Sequence, residues 1–147
     1  MLPNGHLASG SADTTIIIWN AATGQHIRTL RQTGNVDSLC VLPNGHLASG
    51  SRDDIIIWNT QTGEVVRTWQ GAHTSWVRAL VVLPNGLLAS GSYDTTIKIW
   101  NTDTGELIRT LQGHTGRVLS ICVLPNGHLA SGSWDRTIRL WNAQTGE

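Results

Sequence analysis

The chain has 147 residues, of which 39% are hydrophobic and only 14% are charged. Ten basic and ten acidic residues give a formal net charge of zero, so neither a nucleic acid nor a membrane surface is an expected electrostatic partner. The apolar runs, such as residues 79–83, are far shorter than the roughly 20 residues that a membrane-spanning helix needs.

One sequence pattern occurs four times in the chain. Its first copy is LPNGHLASGSADTTIIIWN, and the copies begin at Leu2, Leu42, Leu83 and Leu124, at spacings of 40, 41 and 41 residues. A fixed period of this size is typical of repeat proteins, in which small units pack side by side. The pattern therefore predicts one domain, 1–147. We expect four units in it, at approximately 2–30, 36–69, 77–111 and 118–147.

Within a copy, strands and tight turns are predicted in a fixed order. In the last copy, 118–123 is a β-branched run, LPNG is typical of a hairpin turn, and 129–133 (LASGS) is a strand of small residues. A second turn precedes an alternating strand over 137–142, and earlier copies add an outer strand such as 107–111. The fold class is therefore all-β, with each unit a four-stranded antiparallel meander. The first unit lacks its inner strand and the last unit its outer strand.

These repeats resemble those of the WD-repeat (WD40) β-propeller family. The resemblance rests on the LASGS strand, the IWN ending, the spacing from the turn aspartate to the tryptophan, and the Gly113-His114 pair. It covers the whole chain, although Trp-Asn stands where the family usually has Trp-Asp. The resemblance implies a β-propeller, or an open arc, of four blades that needs no cofactor.

The family resemblance also implies a structural hydrogen-bond set in each blade, in which tryptophan bonds serine, serine meets histidine and histidine meets aspartate. The sets are Ser9, Asp13 and Trp19; Ser49, Asp53 and Trp58; His73, Ser90, Asp94 and Trp100; and His114, Ser131, Asp135 and Trp141. Serine, histidine and aspartate also form hydrolase triads, but a nucleophile repeated in every blade is expected to be architectural. Gln32 takes the histidine's place in the second blade, which we expect to be the least ordered complete blade.

The remaining histidines and the cysteines predict no metal site. His6, His46 and His128 follow the same turn in separate blades, without a carboxylate or thiolate beside them. Cys40 and Cys122 occupy equivalent positions within apolar runs, so we expect buried free thiols. Free thiols favour a reducing compartment and predict a cytoplasmic protein.

The copies differ most beside the turn aspartate and beside the valine that begins each inner strand. In a propeller these positions share one face, the loop face, formed by the turns between second and third strands and by the linkers between blades. The candidate partner-binding residues are Asn35, Asp37, Arg52, Trp76, Arg78, Tyr93, Arg117 and Trp134. Tryptophan, tyrosine and arginine are enriched at interface hot spots, which favours partner binding over drift of exposed loops.

The sequence therefore predicts a non-enzymatic scaffold that binds a protein or peptide on the loop face. Two alternatives stay open: a sugar-binding or hydrolytic propeller, and a non-functional fragment of a longer repeat protein. The acidic residues are spread over the repeats, which argues against an active-site cluster. Four blades are few for a closed ring, so we expect a homodimer with eight blades or further repeats in a longer parent chain.

Overall fold

The computed structural model describes all 147 residues, which form fourteen strands and no helix. The strands are β1 (His6–Gly10), β2 (Thr15–Asn20), β3 (His26–Arg31), β4 (Ser38–Val41), β5 (Leu47–Ser51), β6 (Asp54–Trp58), β7 (Val65–Trp69), β8 (Val77–Val82), β9 (Leu88–Ser92), β10 (Ile97–Trp100), β11 (Leu107–Leu111), β12 (Val118–Val123), β13 (Leu129–Ser133) and β14 (Ile138–Trp141). No helix that could cross a membrane is found.

The strands form four antiparallel meanders, which are the blades. Blade 1 contains β1–β3, blade 2 contains β4–β7, blade 3 contains β8–β11 and blade 4 contains β12–β14. The all-β fold with three, four, four and three strands is confirmed. The blades do not close into a ring.

The hydrophobic core lies between the blades rather than within them. Ile97 and Ile99 of β10 are fully buried in a cluster with Val118, Leu129 and Trp141 of blade 4. Equivalent residues form the clusters between blades 1 and 2 and between blades 2 and 3. Because each sheet buries its faces only against its neighbours, the blades depend on one another for stability.

The small residues of the second strand allow this close packing. A Cβ atom added to Gly91 in β9 would lie 2.8 Å from Cγ1 of Val118 in the next blade. A Cβ atom on Gly50 in β5 would likewise lie 2.8 Å from Cγ1 of Val77. Glycine is therefore required at this position wherever another blade follows.

An arginine on each outer strand ties its blade to the next one. Arg28 of β3 donates hydrogen bonds from its guanidinium to the backbone carbonyls of Thr62, at 2.7 Å, and Gln61, at 3.0 Å. Arg67 and Arg109 make the same pair of bonds to the equivalent turns of blades 3 and 4. This repeated clamp joins the blades at their outer edge, and the sequence patterns did not indicate it.

The two cysteines differ in their surroundings. Cys40 is half-buried against blade 3, and this burial raises the pKa of its thiol. Cys122, at the equivalent position of blade 4, is exposed because no further blade packs on that side. The expectation of two buried thiols is therefore wrong for Cys122, although both cysteines are free.

Candidate functional site

A buried chain of hydrogen bonds links four side chains in blade 3. The indole nitrogen of Trp100 donates to Oγ of Ser90 at 2.8 Å. Nε2 of His73 lies 2.7 Å from the same Oγ, and Nδ1 of His73 lies 2.8 Å from Oδ2 of Asp94. With its proton on Nδ1, His73 accepts from the serine and donates to the carboxylate, so every polar atom of the chain is paired.

Blade 4 repeats this arrangement with nearly the same distances. Trp141 donates to Ser131 at 2.7 Å, and His114 lies 2.7 Å from Ser131 and 2.6 Å from Asp135. The hydrogen bond from Thr137, and to a lesser extent the one from His114, holds the pKa of Asp135 well below its usual range. The carboxylate is therefore ionised at neutral pH, as its role as a double acceptor requires.

The pKa of the equivalent carboxylate in blade 3, Asp94, is also low, although burial opposes the effect of its hydrogen bonds more strongly. Burial acts to raise the pKa of Asp94, but hydrogen bonds from His73 and Thr96 outweigh it and lower that pKa far below its usual range. Asp94 also accepts the backbone N–H of Thr74 at 3.1 Å, which ties the linker to the turn. The network thus fixes the loops of its own blade.

The geometry of these sets resembles a catalytic triad, but their surroundings do not suit catalysis. Ser90 and His73 are at most 1% exposed to solvent. Oγ of Ser90 accepts the indole N–H of Trp100 with one of its two lone pairs, and its complete burial keeps a substrate from reaching the oxygen. The arrangement can hold a turn, a linker and a third strand together.

Blades 1 and 2 contain shorter versions of the set. In blade 1, Trp19 donates to Ser9 at 2.8 Å, and Asp13 accepts from Thr15 at 2.6 Å. This bond from the Thr15 hydroxyl lowers the pKa of Asp13. The two pairs of blade 1 are joined by no histidine.

In blade 2 the glutamine replaces the histidine as an acceptor. Trp58 donates to Ser49 at 2.8 Å, and Ser49 donates to Oε1 of Gln32 at 2.8 Å. The amide nitrogen of Gln32 bonds the carbonyls of its own linker and does not reach Asp53. The structure therefore places Asp53 outside the set: it is exposed and makes no side-chain hydrogen bond, because the turn and the linker are each one residue short.

On the loop face, three aromatic side chains from two blades stack in a row. The rings of Trp76 and Tyr93 lie 6.0 Å apart at 11°, and those of Tyr93 and Trp134 lie 6.5 Å apart at 27°. Cζ of Arg117 lies 4.8 Å from the centre of the Tyr93 ring and 4.6 Å from that of Trp134. We call these four residues the aromatic–arginine cluster.

Backbone hydrogen bonds position this cluster. The N–H of Tyr93 donates to the carbonyl of Trp76 at 2.9 Å, and the N–H of Trp134 donates to the carbonyl of Arg117 at 3.0 Å. In each blade the turn residue is thereby held beside the linker residue that precedes the inner strand. The register of the two blades then brings both pairs into one row.

The other four candidate residues lie outside the cluster. Arg78 of blade 3 forms an ion pair with Asp37 of blade 2, at 3.1 Å. Asn35 accepts the amide of Gln32 through its backbone, and Arg52 is an exposed turn residue with φ of 42°. No side-chain hydrogen bond, ion pair or ring contact joins these residues to the aromatic–arginine cluster. The loop face thus contains one coherent candidate site, across blades 3 and 4.

No three side chains among histidine, cysteine, aspartate and glutamate come together as a metal site would require.

The sequence model of the WD domain, G-beta repeat (WD40), matches the chain at residues 2–20, 24–59, 63–101 and 105–142. The chain belongs to the WD40 repeat family. The three later WD40 matches each begin just before an outer strand and end after the third strand of the next blade. One WD40 repeat therefore spans two blades and links them covalently.

A solved structure shows the same WD40 architecture. The chain is similar to the WD40 beta propeller domain of Doa1, with a TM-score of 0.87 and 30% sequence identity over 95% of the chain. The match covers 47% of that domain's chain, so the present WD40 repeats span about half of its length. No curated protein sequence gives a match. WD40 propellers generally mediate protein–protein interactions and are typically non-catalytic.

Proposed function

We propose that this chain is a non-enzymatic protein-binding module whose contact site is the aromatic–arginine cluster on the loop face. The observation that supports the proposal is the exposure of large aromatic surface there: Trp76 is 45% and Trp134 is 61% exposed. Exposed tryptophans in a rigid row are costly in water and are typical of interface hot spots.

The buried serine–histidine–aspartate sets argue for this reading over a hydrolytic one. They recur in blades 3 and 4 with nearly the same distances, and each serine is buried and bonded by the indole of a tryptophan. A catalytic site requires a nucleophile that a substrate can reach. The loop face, by contrast, presents its aromatic rings to the surface.

The proposal is tested by comparing two triple variants in binding assays. We expect the Trp76→Ala, Tyr93→Ala, Trp134→Ala variant to lose at least tenfold in affinity for a protein or peptide that the unmodified chain captures, because hot-spot aromatics each contribute about 2 kcal/mol or more. The control is Val65→Ala, Val66→Ala, Ile108→Ala, which removes about half-exposed apolar side chains from the outer strands. Equal loss of binding in both variants would contradict a site on the loop face.

A second proposal concerns the two end faces of the arc. Ile138 and Leu140 of β14 are 78% and 64% exposed, whereas the equivalent Ile97 and Ile99 are fully buried against the following blade. At the opposite end, Leu7 of β1 is 44% exposed, although its equivalents in the other blades are buried. The two end faces thus present the two halves of the interface that the chain makes three times within itself.

We infer that these faces pair head to tail between two copies of the chain, which places eight blades in one assembly. Further repeats in a longer parent chain would occupy the same faces. We expect sedimentation of the purified chain to show a dimer that Leu140→Glu dissociates, while Leu107→Glu on an outer strand leaves it intact. A monomer at every concentration of the unmodified chain would refute this pairing.

We also propose a cytoplasmic location. Its support is the free state of both cysteines, since exposed thiols such as that of Cys122 persist in reducing compartments. Alkylation of Cys122 in intact cells under non-reducing conditions tests this, and finding the thiol oxidised there would contradict it.

A further inference from the structure

The aromatic–arginine cluster holds a cation whose charge no other side chain satisfies. Arg117 is exposed and makes no side-chain hydrogen bond or ion pair. Two cations of the strands of blade 3 are already engaged: Arg78 pairs with Asp37, and Lys98 donates to the carbonyl of Ala72 at 2.7 Å. Arg117 is therefore available to a ligand, and it differs from the unpaired turn residues Arg52 and Arg136 because its guanidinium lies over aromatic rings.

The aromatic rings orient the guanidinium of Arg117 without using its hydrogen-bond donors. Its Cζ lies 4.8 Å from the centre of the Tyr93 ring and 4.6 Å from that of the Trp134 ring. The centres of the two rings are 6.5 Å apart, which is less than the sum of the two distances from Cζ. The guanidinium therefore lies to one side of the line that joins the ring centres and contacts both rings. Cation–π contact holds the planar group in place, and its N–H donors stay free for a planar acceptor.

A small cavity opens beside this guanidinium. It has a volume of about 230 Å³ and is lined by Ser75, Trp76, Tyr93 and Arg117. Pockets for drug-sized ligands have volumes of about 300–1,000 Å³, so this cavity suits a single side chain better than a whole small molecule. The exposed ring of Trp76 forms part of this lining, and the exposed ring of Trp134 stacks on Tyr93 in the same row.

We infer that the cluster receives the carboxylate of an aspartate or glutamate side chain, carried by an extended partner segment with apolar residues on both sides of the acid. The inference rests on the proposed function and names the chemistry of its partner. The carboxylate would form a bidentate pair with Arg117, and the flanking residues would cover the tryptophans. A phosphate dianion fits less well, because one arginine neutralises only one of its charges.

The experiment is selection of a random dodecapeptide library, displayed on phage, on the intact chain. We expect the recovered peptides to be enriched in an internal aspartate or glutamate flanked by apolar residues. In a synthetic copy of a recovered peptide, replacing that acid by its amide is expected to weaken binding about tenfold or more, since a charge-assisted bond is lost. Arg117→Gln should cause a similar loss and Arg117→Lys a smaller one.

The control variant is Arg31→Gln, which removes an exposed arginine that contacts no ring, and it should bind as the unmodified chain does. Peptides that need the loop-face tryptophans but show no acid preference would overturn this inference and leave the proposed function standing. Recovery of no peptide sensitive to the triple tryptophan and tyrosine variant would count against both. Tighter binding of a phosphoserine peptide than of its glutamate counterpart would overturn the assignment to a carboxylate.

Discussion

The interface between blades predicts the cost of a single added methyl group at Gly91. In Gly91→Ala the new Cβ would lie 2.8 Å from Cγ1 and 3.6 Å from Cβ of Val118, and 3.3 Å from Cγ2 of Ile121. The first distance is shorter than van der Waals contact permits, and these atoms belong to the next blade. The backbone of Gly91 is extended, so alanine is conformationally allowed and the effect reports packing alone.

The magnitude follows from overpacking of a filled core, which typically costs about 1–3 kcal/mol. The matched control is Gly132→Ala, at the same position of the same LASGS strand in blade 4. There the nearest atom to the added Cβ is Oγ of Ser120 at 3.1 Å, and no following blade packs on it. Because both variants change glycine to alanine in one local sequence, the entropy of the unfolded chain cancels between them.

Thermal and urea unfolding, followed by tryptophan fluorescence on the two variants, tests this difference. For a chain of this length, a change of about 1 kcal/mol in the free energy of unfolding shifts the Tm by about 2–4 °C. If the two variants differ by about 2 kcal/mol, the middle of the expected range, Gly91→Ala melts about 4–8 °C below Gly132→Ala. The measurement is made at low concentration, where association of the end faces is minimal. Equal stability of the two variants would refute the close approach of the blades at Gly91.

Two further predictions follow from the polar contacts. Because the pKa of Asp94 is lower in the folded chain than its value of about 3.9 in an unfolded one, the carboxylate contributes stability above about pH 4 and loses it as the pH falls further. Asp94→Asn should therefore be less stable at pH 7 and show a weaker loss between pH 5 and pH 3 in urea titrations; an unchanged acid dependence would contradict the assignment. Arg67→Ala should cost about 1–2 kcal/mol, because it removes two charged hydrogen bonds to blade 3. Arg31→Ala, without such bonds, should change the free energy of unfolding by less than about 0.5 kcal/mol, and equal effects of both would argue against the clamp.

Much of the fold is predictable from sequence because each blade is built from local signals. The LPNG turns, the LASGS strands and the alternating third strands identify meanders without reference to any distant residue. The positions of Ser90 and Trp100 are also local, since adjacent antiparallel strands bring them together for the 2.8 Å bond. The family resemblance added His73 and Asp94 to that pair.

Other features depend on where one blade ends relative to the next. The acceptor role of Gln32 and the exclusion of Asp53 come from a linker and a turn that are each one residue short. The separation of the aromatic–arginine cluster from Arg52 and Asn35 was likewise not predictable, because all of them occupy variable loop-face positions in the sequence. Side-chain position in those loops is set by packing between blades, which a repeat pattern does not encode.

The sequence by itself determined the repeat, the strands and turns of each blade, and which positions vary, because these properties arise within a few residues of one another. Only the tertiary structure decided the contacts between blades. Examples are the hydrogen bond from Arg28 to the backbone of a turn 34 residues away and the position of the Arg117 guanidinium over Tyr93 and Trp134. Such contacts join residues of neighbouring repeats. The repeat period predicts that these residues are near one another, but it does not predict how their side chains are oriented. Their geometry is fixed by the packing of one sheet on another, and the candidate binding site forms where that packing gathers variable side chains from two blades.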